Sequence, residues 1–497
     1  MPTGRSSCSS FSRREAVRWT PPLICEGTAL RATRPFRPAP AGRRAAPVSA
    51  ARQCAYAVIR RVFEQGAYAD RALHAEVDRA ALDDRDRAFA TRLAYGTVQR
   101  RATLDHVIVT LATRPTRDLH PAVLAALRLG LYQLLYLDGV APHAAVGEAV
   151  ELAKEAPGRG HALANAVLRR AAKEGGAILA SLSDDTAAAA AVRHSHPRWI
   201  AELWWRALGP DHARALLAAD NEPAEAAVRA NTLVTTRDRL CAALRERGVP
   251  CEPAAEVEDG LVLGAPFDAH GSELFRDGAL MPQSRAAMLV SRVLDPQPGD
   301  DLLDLCAAPG AKTTHLAALM NGAGRIVAVE RHAGRAAALE RTCRRMQATI
   351  VEVEVGDAAS SREQAFDRVL VDPPCSGLGT LQSRPDRRWR AQPESVAELA
   401  QRQAAILRAG ADALRPGGTL VYSTCTISPA ENEHVVERFL SDRCDFSADD
   451  LQADLSLWEH PSVDRHLLAL PHRDLTDGFF IARLRRDAAA DPNRPSA

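Results

Sequence analysis

Positions 301–330 read DLLDLCAAPGAKTTHLAALMNGAGRIVAVE, and few stretches of this length narrow the choice of fold so far. Leu302, Leu303, Asp304 and Leu305 form an apolar run of buried-strand length. A loop of small residues follows: Cys306, Ala307, Ala308, Pro309, Gly310 and Ala311. Residues 312–320 have helical spacing, with Leu316, Leu319 and Met320 on one face. Residues 325–329 read as a second strand, closed by Glu330. This is a β-loop-α-β unit. Its loop lies at the carboxyl end of a parallel strand, where open α/β sheets bind ligands. Small side chains let backbone N–H groups come close, and the helix N-terminus adds positive potential. Glu330 follows the loop by about 20 residues, where an acid can accept hydrogen bonds from ribose hydroxyls. The unit suits a nucleotide-like ligand, although any α/β sheet with a tight turn shares the pattern.

Two later stretches sharpen the reading. In FDRVLVDPPCSGLGT, residues 367–371 form a strand that Asp372, Pro373, Pro374 and Cys375 terminate. In TLVYSTCT, a strand over 419–426 ends in Cys425. Each places a cysteine at the carboxyl end of a strand in the same sheet, facing the ligand crevice.

These three stretches resemble the RNA cytosine-5 methyltransferases of the Nop2/Sun family, and most of all its bacterial RsmB (Sun) branch, which acts on small-subunit ribosomal RNA. The resemblance runs in order from about residue 51 to 485. It implies an S-adenosylmethionine-dependent methylation of cytosine C5, with a cytosine of 16S rRNA as the target.

The expected fold is multidomain: an all-α NusB-like bundle, a small α/β subdomain and a Rossmann-like class I methyltransferase sheet. The 497 residues have room for it. Residues 1–48 are rich in Arg and Pro and read as a disordered tail, or as a start codon placed too early. A sharper reading makes Arg31, Arg34, Arg37, Arg43 and Arg44 an RNA-tethering arm. Residues 49–180 form the helical domain, with Asp83 to Asp86 offering a cap and Pro121 opening an amphipathic helix. The PHAAVGEAVELAK and NAVLRR segments carry the NusB likeness, and Arg169 and Arg170 are candidates to touch RNA. Residues 175–191 read as a linker. The subdomain spans 190–280, with strands at 228–233 and 261–263 around a helix at 237–248. Trp204 and Trp205 read as core rather than as a base-stacking platform. The methyltransferase domain takes 281–486, entered by a single helix over 280–294, and a disordered tail takes 487–497.

Composition excludes several classes. Net charge is +1, so RNA binding must use local patches rather than a global basic field. Nearly all basicity is arginine, the lysines being Lys154, Lys173 and Lys312. The ten cysteines form no CxxC pair, which argues against a zinc site or a disulfide framework and suits a reducing cytoplasm. No apolar run reaches membrane-span length. A cytoplasmic monomer acting on RNA, without metal or membrane, is the expectation.

The chemistry explains the residue types. Cytosine C5 is a poor nucleophile, and a thiolate adding to C6 makes it enamine-like. By matching motif positions, Cys425 is the nucleophile and Cys375 the second cysteine that assists product release. Asp372 meets the N3/N4 edge of the cytosine and also borders the cofactor. Cys306, Ala307, Ala308, Pro309, Gly310, Ala311 and Lys312 wrap the methionine and ribose region. Glu330 takes the ribose hydroxyls, and Asp357, after a strand at 351–355, accepts from the adenine amino group. Two positions depart from the family. Ala311 replaces a second glycine, which would add strain if the position needs positive φ. Ser284 stands where the family carries Asp. Arg384, Arg387, Arg388, Trp389 and Arg390 read as an RNA patch that mixes charge with a stacking surface.

Two other readings compete. A DNA-type enzyme would make Cys375 rather than Cys425 essential. An RNA-binding assembly factor would keep a silent methyltransferase domain, although it would have no need of two reactive thiols.

Overall fold

The computed structural model describes residues 48–488. The proposed arginine arm and all but the first two residues of the terminal tail lie outside them. The first domain is a bundle of seven α-helices: Ala50–Gln65, Ala69–Ala80, Asp84–Gln99, Arg101–Ala112, Pro121–Tyr136, Pro142–Leu152 and Gly160–Ala180. The expected caps are in place. Asp83 accepts from Asp86 N at 2.7 Å, and Pro121 occupies the first turn of its helix. Val58, Ile59, Leu93, Leu104, Ile108 and Leu127 are fully buried at its centre.

The stretch 175–191 is not a linker. The last bundle helix continues through Gly175 to Ala180, and Ala187–Arg193 is a further helix capped by Thr186. Gly175 marks a close helix approach: a Cβ there would stand 2.7 Å from Leu135 Cδ2.

The small subdomain has two helices, Arg198–Leu208 and Pro210–Ala219, and a four-stranded sheet. Its strands are β1 (Ala227–Ala230), β2 (Cys251–Pro253), β3 (Gly260–Leu263) and β4 (Leu280–Pro282), in the order β2-β3-β1-β4 with every pair antiparallel. The helix Arg237–Glu246 packs on it. The single helix expected over 280–294 is therefore two elements. Leu280–Pro282 pairs with β1, and the helix begins only at Arg285. Pro282 accounts for the break, because it biases Met281 to extended backbone. Trp204 is fully buried, and its Nε1 donates to Ile427 O at 3.1 Å, so it is core.

The third domain is a mixed sheet of β5 (Asp301–Leu305), β6 (Arg325–Glu330), β7 (Val351–Val355), β8 (Phe366–Val371), β9 (Leu414–Thr424), β10 (Phe446–Ala448), β11 (Leu467–Ala469) and β12 (Phe479–Arg486). Its order is β7-β6-β5-β8-β9-β12-β10, with β11 also on β12. The five strands from β7 to β9 are parallel, and β12 runs antiparallel to β9. The chain winds outward from β5 to β7, then returns to β8 on the other side. That reversal opens a crevice above the carboxyl ends of β5 and β8, where doubly wound sheets hold their ligands.

Candidate active site

Five residues named from the sequence come to this one edge. Cys306 follows β5, Glu330 ends β6, Asp357 follows β7, Asp372 follows β8 and Cys425 follows β9. In the loop after β5 the left-handed positions are Cys306 (φ 69) and Gly310 (φ 106). A Cβ on Gly310 would lie 2.7 Å from Leu339 Cδ1, so the glycine is required there. Ala311 has no positive φ and begins the helix Ala311–Leu319, so the departure from the family loop carries no backbone strain. Thr313 Oγ1 donates to Asp304 Oδ2 at 2.6 Å and ties helix to strand. Burial pushes the Asp304 carboxyl up to about 7.

Glu330 is buried, accepts from His332 N at 2.9 Å and faces Arg335 at 3.4 Å. Asp357 is exposed, one turn beyond β7, and accepts from Ala359 N. Two carboxylates at neighbouring strand ends, beside a loop that admits close backbone approach, fit a nucleoside with free ribose hydroxyls and an amino group.

The two cysteines meet. Cys375 Sγ lies 3.3 Å from Cys425 Sγ, both half-buried. Their surroundings differ. A hydrogen bond from Cys375, together with Arg387 and Lys312, pulls the Cys425 thiol below its ordinary value, against burial and Asp372. The bond to Cys425, burial, Glu431 and Asp372 push Cys375 well up. These surroundings favour the thiolate at Cys425 over one at Cys375.

Lys312 is half-buried and turned into the site. Its Nζ donates to Asp372 Oδ2 at 2.8 Å and lies 5.0 Å from the centre of the Phe479 ring. Burial lowers its affinity for the proton, but Asp372 and Cys425 more than offset this, so the ammonium form is favoured. Asp372 Oδ1 accepts from Ser423 Oγ at 3.0 Å. Both carboxylate oxygens are thus engaged, one by a cation.

Two residues of the site had no sequence signal. Glu431 is fully buried and accepts from Ser376 N (2.8 Å), Ser376 Oγ (2.5 Å) and Gln403 Nε2 (3.0 Å). Asn432 accepts from Thr424 Oγ1 at 2.5 Å and donates to Thr426 O at 3.0 Å. In sequence they sit in a polar stretch, SPAENE, which reads as an ordinary loop.

The arginine stretch corrects the sequence reading. Arg388 is fully buried and donates to Ser195 O, Asp220 O, Leu381 O and Asn221 Oδ1. Trp389 Nε1 donates to Val98 O at 2.7 Å, in the helical bundle. Arg390 donates to Gly66 O and lies over the Tyr68 ring, also in the bundle. Arg387 donates to Ser376 O at 3.1 Å, beneath the Cys375 loop. The segment clasps the domains together: Arg388 is sealed in the seam, and the half-buried Trp389 ring packs on the bundle with Arg101 over it. Only Arg384 and Arg390 of the five are exposed. Arg170, on the bundle, pairs with Glu174 and donates to Leu111 O.

Among the described residues no group of three or more His, Cys, Asp or Glu is placed to hold a metal ion, and no helix is long and apolar enough to cross a membrane.

The strand order, the loop after β5 and the paired strand-end cysteines define the catalytic domain of a methyltransferase, joined to a NusB-type bundle. Comparison with known proteins agrees domain by domain. Residues 291–485 match the 16S rRNA methyltransferase RsmB/F family, 49–173 the NusB family, and 196–270 the ferredoxin-like domain of RsmF/B-like methyltransferases. A probable ribosomal RNA small subunit methyltransferase B of Synechocystis is 38% identical, over 88% of this chain and 99% of its own. Its Bacillus subtilis counterpart is 34% identical, over 88% and 98%. The crystal structure of PH0851 superposes with a TM-score of 0.76 at 27% identity, over 88% of this chain and 98% of its own. The chain belongs to the RsmB/F family of S-adenosylmethionine-dependent rRNA methyltransferases.

Proposed function

We propose that this protein methylates C5 of a cytosine in 16S rRNA through a covalent adduct between Cys425 and C6, acting in the cytoplasm as a monomer. The observation that carries this reading is the pair of thiols 3.3 Å apart beside an Asp372–Lys312 pair. S-adenosylmethionine supplies an electrophilic methyl group when bound. The loop from Cys306 to Lys312 would hold its methionine and ribose region, Glu330 its ribose hydroxyls and Asp357 its adenine amino group.

Cys425 adds to C6 as the thiolate, and electron density moves to C5. Asp372, fixed by Lys312 and Ser423, receives the amino edge of the base. Lys312 places positive charge where the ring becomes electron-rich. After C5 is methylated, its proton passes to solvent. That electron pair forms the C5–C6 double bond, and the pair of the Cys425–C6 bond returns to sulfur. Cys375 donates its S–H hydrogen bond to the departing sulfur and so assists release. The charges around the two thiols favour this order of roles over a DNA-type mechanism with Cys375 as nucleophile.

The test is a denaturing gel after incubation with S-adenosylmethionine and unmodified 16S rRNA. Cys375→Ala should accumulate a protein–RNA adduct and Cys425→Ala should form none. An adduct that survives Cys425→Ala but not Cys375→Ala would reverse the roles. No reaction of the wild-type protein with ribosomal RNA would remove the substrate assignment.

A further inference from the structure

Each cysteine is flanked by two residues; both flanks of Cys425 bond to one side chain, and those of Cys375 reach one carboxylate, one directly and one through Gln403. On either side of Cys375, Pro374 O accepts from Gln403 Nε2 at 2.9 Å and Ser376 donates its N–H and hydroxyl to Glu431. Gln403 Nε2 also donates to Glu431, so both flanks refer to the same carboxylate. On either side of Cys425, Thr424 Oγ1 and Thr426 O bond to Asn432. Glu431 and Asn432 are adjacent, and the Tyr422 hydroxyl donates to Glu431 O at 2.6 Å from within β9. Gln403, Thr424, Thr426, Glu431 and Asn432 are all essentially inaccessible to solvent, so water cannot replace these bonds.

We infer that Glu431 and Asn432 are positioning residues that together set the distance between the two thiols, Glu431 holding the Cys375 loop and Asn432 the Cys425 loop. The geometry is that of a gauge. Two loops from different strands are referred to one dipeptide, whose covalent backbone fixes the spacing of its two side chains. The inference rests on the roles given above to Cys425 and Cys375, and it adds that each anchor governs a different phase of the reaction. Asn432 governs attack, because it aims the nucleophile. Glu431 governs release, because it keeps Cys375 within reach of the departing sulfur.

Conservative variants separate positioning from bulk stability. In Glu431→Gln the oxygen still accepts from Ser376 N and Gln403, and the new N–H can donate to Ser376 Oγ, whose proton turns to Thr426 Oγ1, 2.7 Å away. This variant should behave as wild type. In Asn432→Asp an oxygen faces Thr426 O and the loop must shift. Glu431→Ala removes the anchor, and Ser376→Ala weakens it in case the alanine variant does not fold.

With S-adenosylmethionine and 16S rRNA, Asn432→Asp should slow adduct formation by about 100-fold, the scale of a 1 Å misplacement. Glu431→Ala should still form the adduct, within a few-fold of the wild-type rate because Cys425 loses part of the Cys375 hydrogen bond, and should accumulate it, with Ser376→Ala intermediate. A second arm needs no RNA. Diamide oxidises two neighbouring thiols to a disulfide and is itself reduced to the hydrazine, and mass spectrometry reads the Cys375–Cys425 link. The link should form readily in wild type and Glu431→Gln, and several-fold more slowly in Glu431→Ala and Asn432→Asp. Unchanged cross-linking in those two variants overturns the gauge. So does a loss in Glu431→Gln as deep as in Glu431→Ala. If cross-linking responds as expected but no adduct forms in Cys375→Ala, the gauge stands and the cysteine roles fail.

Discussion

Arg388→Met tests whether the arginine stretch joins domains or touches RNA. Arg388 is fully buried, with Nη1 on Asn221 Oδ1 (2.9 Å) and Ser195 O (3.1 Å), and Nη2 on Asp220 O (2.8 Å) and Leu381 O (3.2 Å). Hydrogen bonds from a charged donor contribute about 1.5–3 kcal/mol each, so four give roughly 6–12 kcal/mol gross. Burial works against them. It lowers the guanidinium from its ordinary value of 12.5 to about 10, a cost of about 3 kcal/mol. Methionine keeps the packing of the stem but leaves these four oxygens, and the more distant Gln99 O at 3.5 Å, without that donor. The expected net loss is about 3–5 kcal/mol, the range for stripping one partner from a buried ionic arrangement. Urea unfolding and limited proteolysis at the domain seam would measure it. The salt dependence of RNA binding should stay as in wild type. A variant of wild-type stability whose binding slope against log salt falls by about 0.7–0.9 would instead place Arg388 on RNA, since that is the signature of one lost phosphate contact.

Three further outcomes follow from local geometry. Gly310→Ala should abolish binding of S-adenosylmethionine in calorimetry, because the residue is left-handed and its Cβ would meet Leu339, whereas Ala311→Gly should leave the affinity near wild type at a helix cost of about 1 kcal/mol or less. Alkylation of Cys425 by iodoacetamide should titrate near pH 7 in wild type, and Arg387→Met should move the midpoint up toward the ordinary thiol value; an unmoved midpoint would exclude Arg387 as the cation responsible. Burial, with His460 beside it, holds His466 down to about 4. The unfolded chain takes up this proton near 6.5, so the contribution is full above that pH and is lost as the pH falls toward 4. The loss is about 2 kcal/mol between pH 6.5 and 5, and His466→Leu should flatten the acid limb of the stability profile by that amount.

What could be read in advance was what depends on local pattern. The strand expected at 351–355 is β7 residue for residue, and β5, β6 and β8 differ from expectation by one residue at an end. Strand ends then placed Cys306, Glu330, Asp357, Asp372 and Cys425 on one edge, because parallel topology leaves no other arrangement. Contacts between distant positions were not legible. Lys312 read as the last residue of the cofactor loop, yet it pairs with Asp372, 60 positions away. β9 begins at Leu414, before Pro416, Gly417 and Gly418, which locally signal a turn; pairing of its later residues with both β8 and β12 overrides that signal. Glu431 and Asn432 were missed because nothing in a polar loop distinguishes a solvated carboxylate from one folded inward onto a neighbour's backbone.

The arginine stretch links the domain seam to the chemistry. Arg387 donates to Ser376 O and lowers the Cys425 thiol, while the next residue, Arg388, locks into the seam between domains. The two share a single four-residue helical turn, Arg387–Arg390. The clasp that joins the bundle to the catalytic domain therefore also delivers a cation to the nucleophile. Loosening the seam should let Arg387 drift from the site without altering it. Arg388→Met should then raise the Cys425 titration midpoint, by less than Arg387→Met does, although Arg388 donates to neither cysteine. If the seam loosens by the expected free energy and the midpoint stays where it is, Arg387 is held by the Cys375 loop alone, and the helical domain has no part in tuning the thiol.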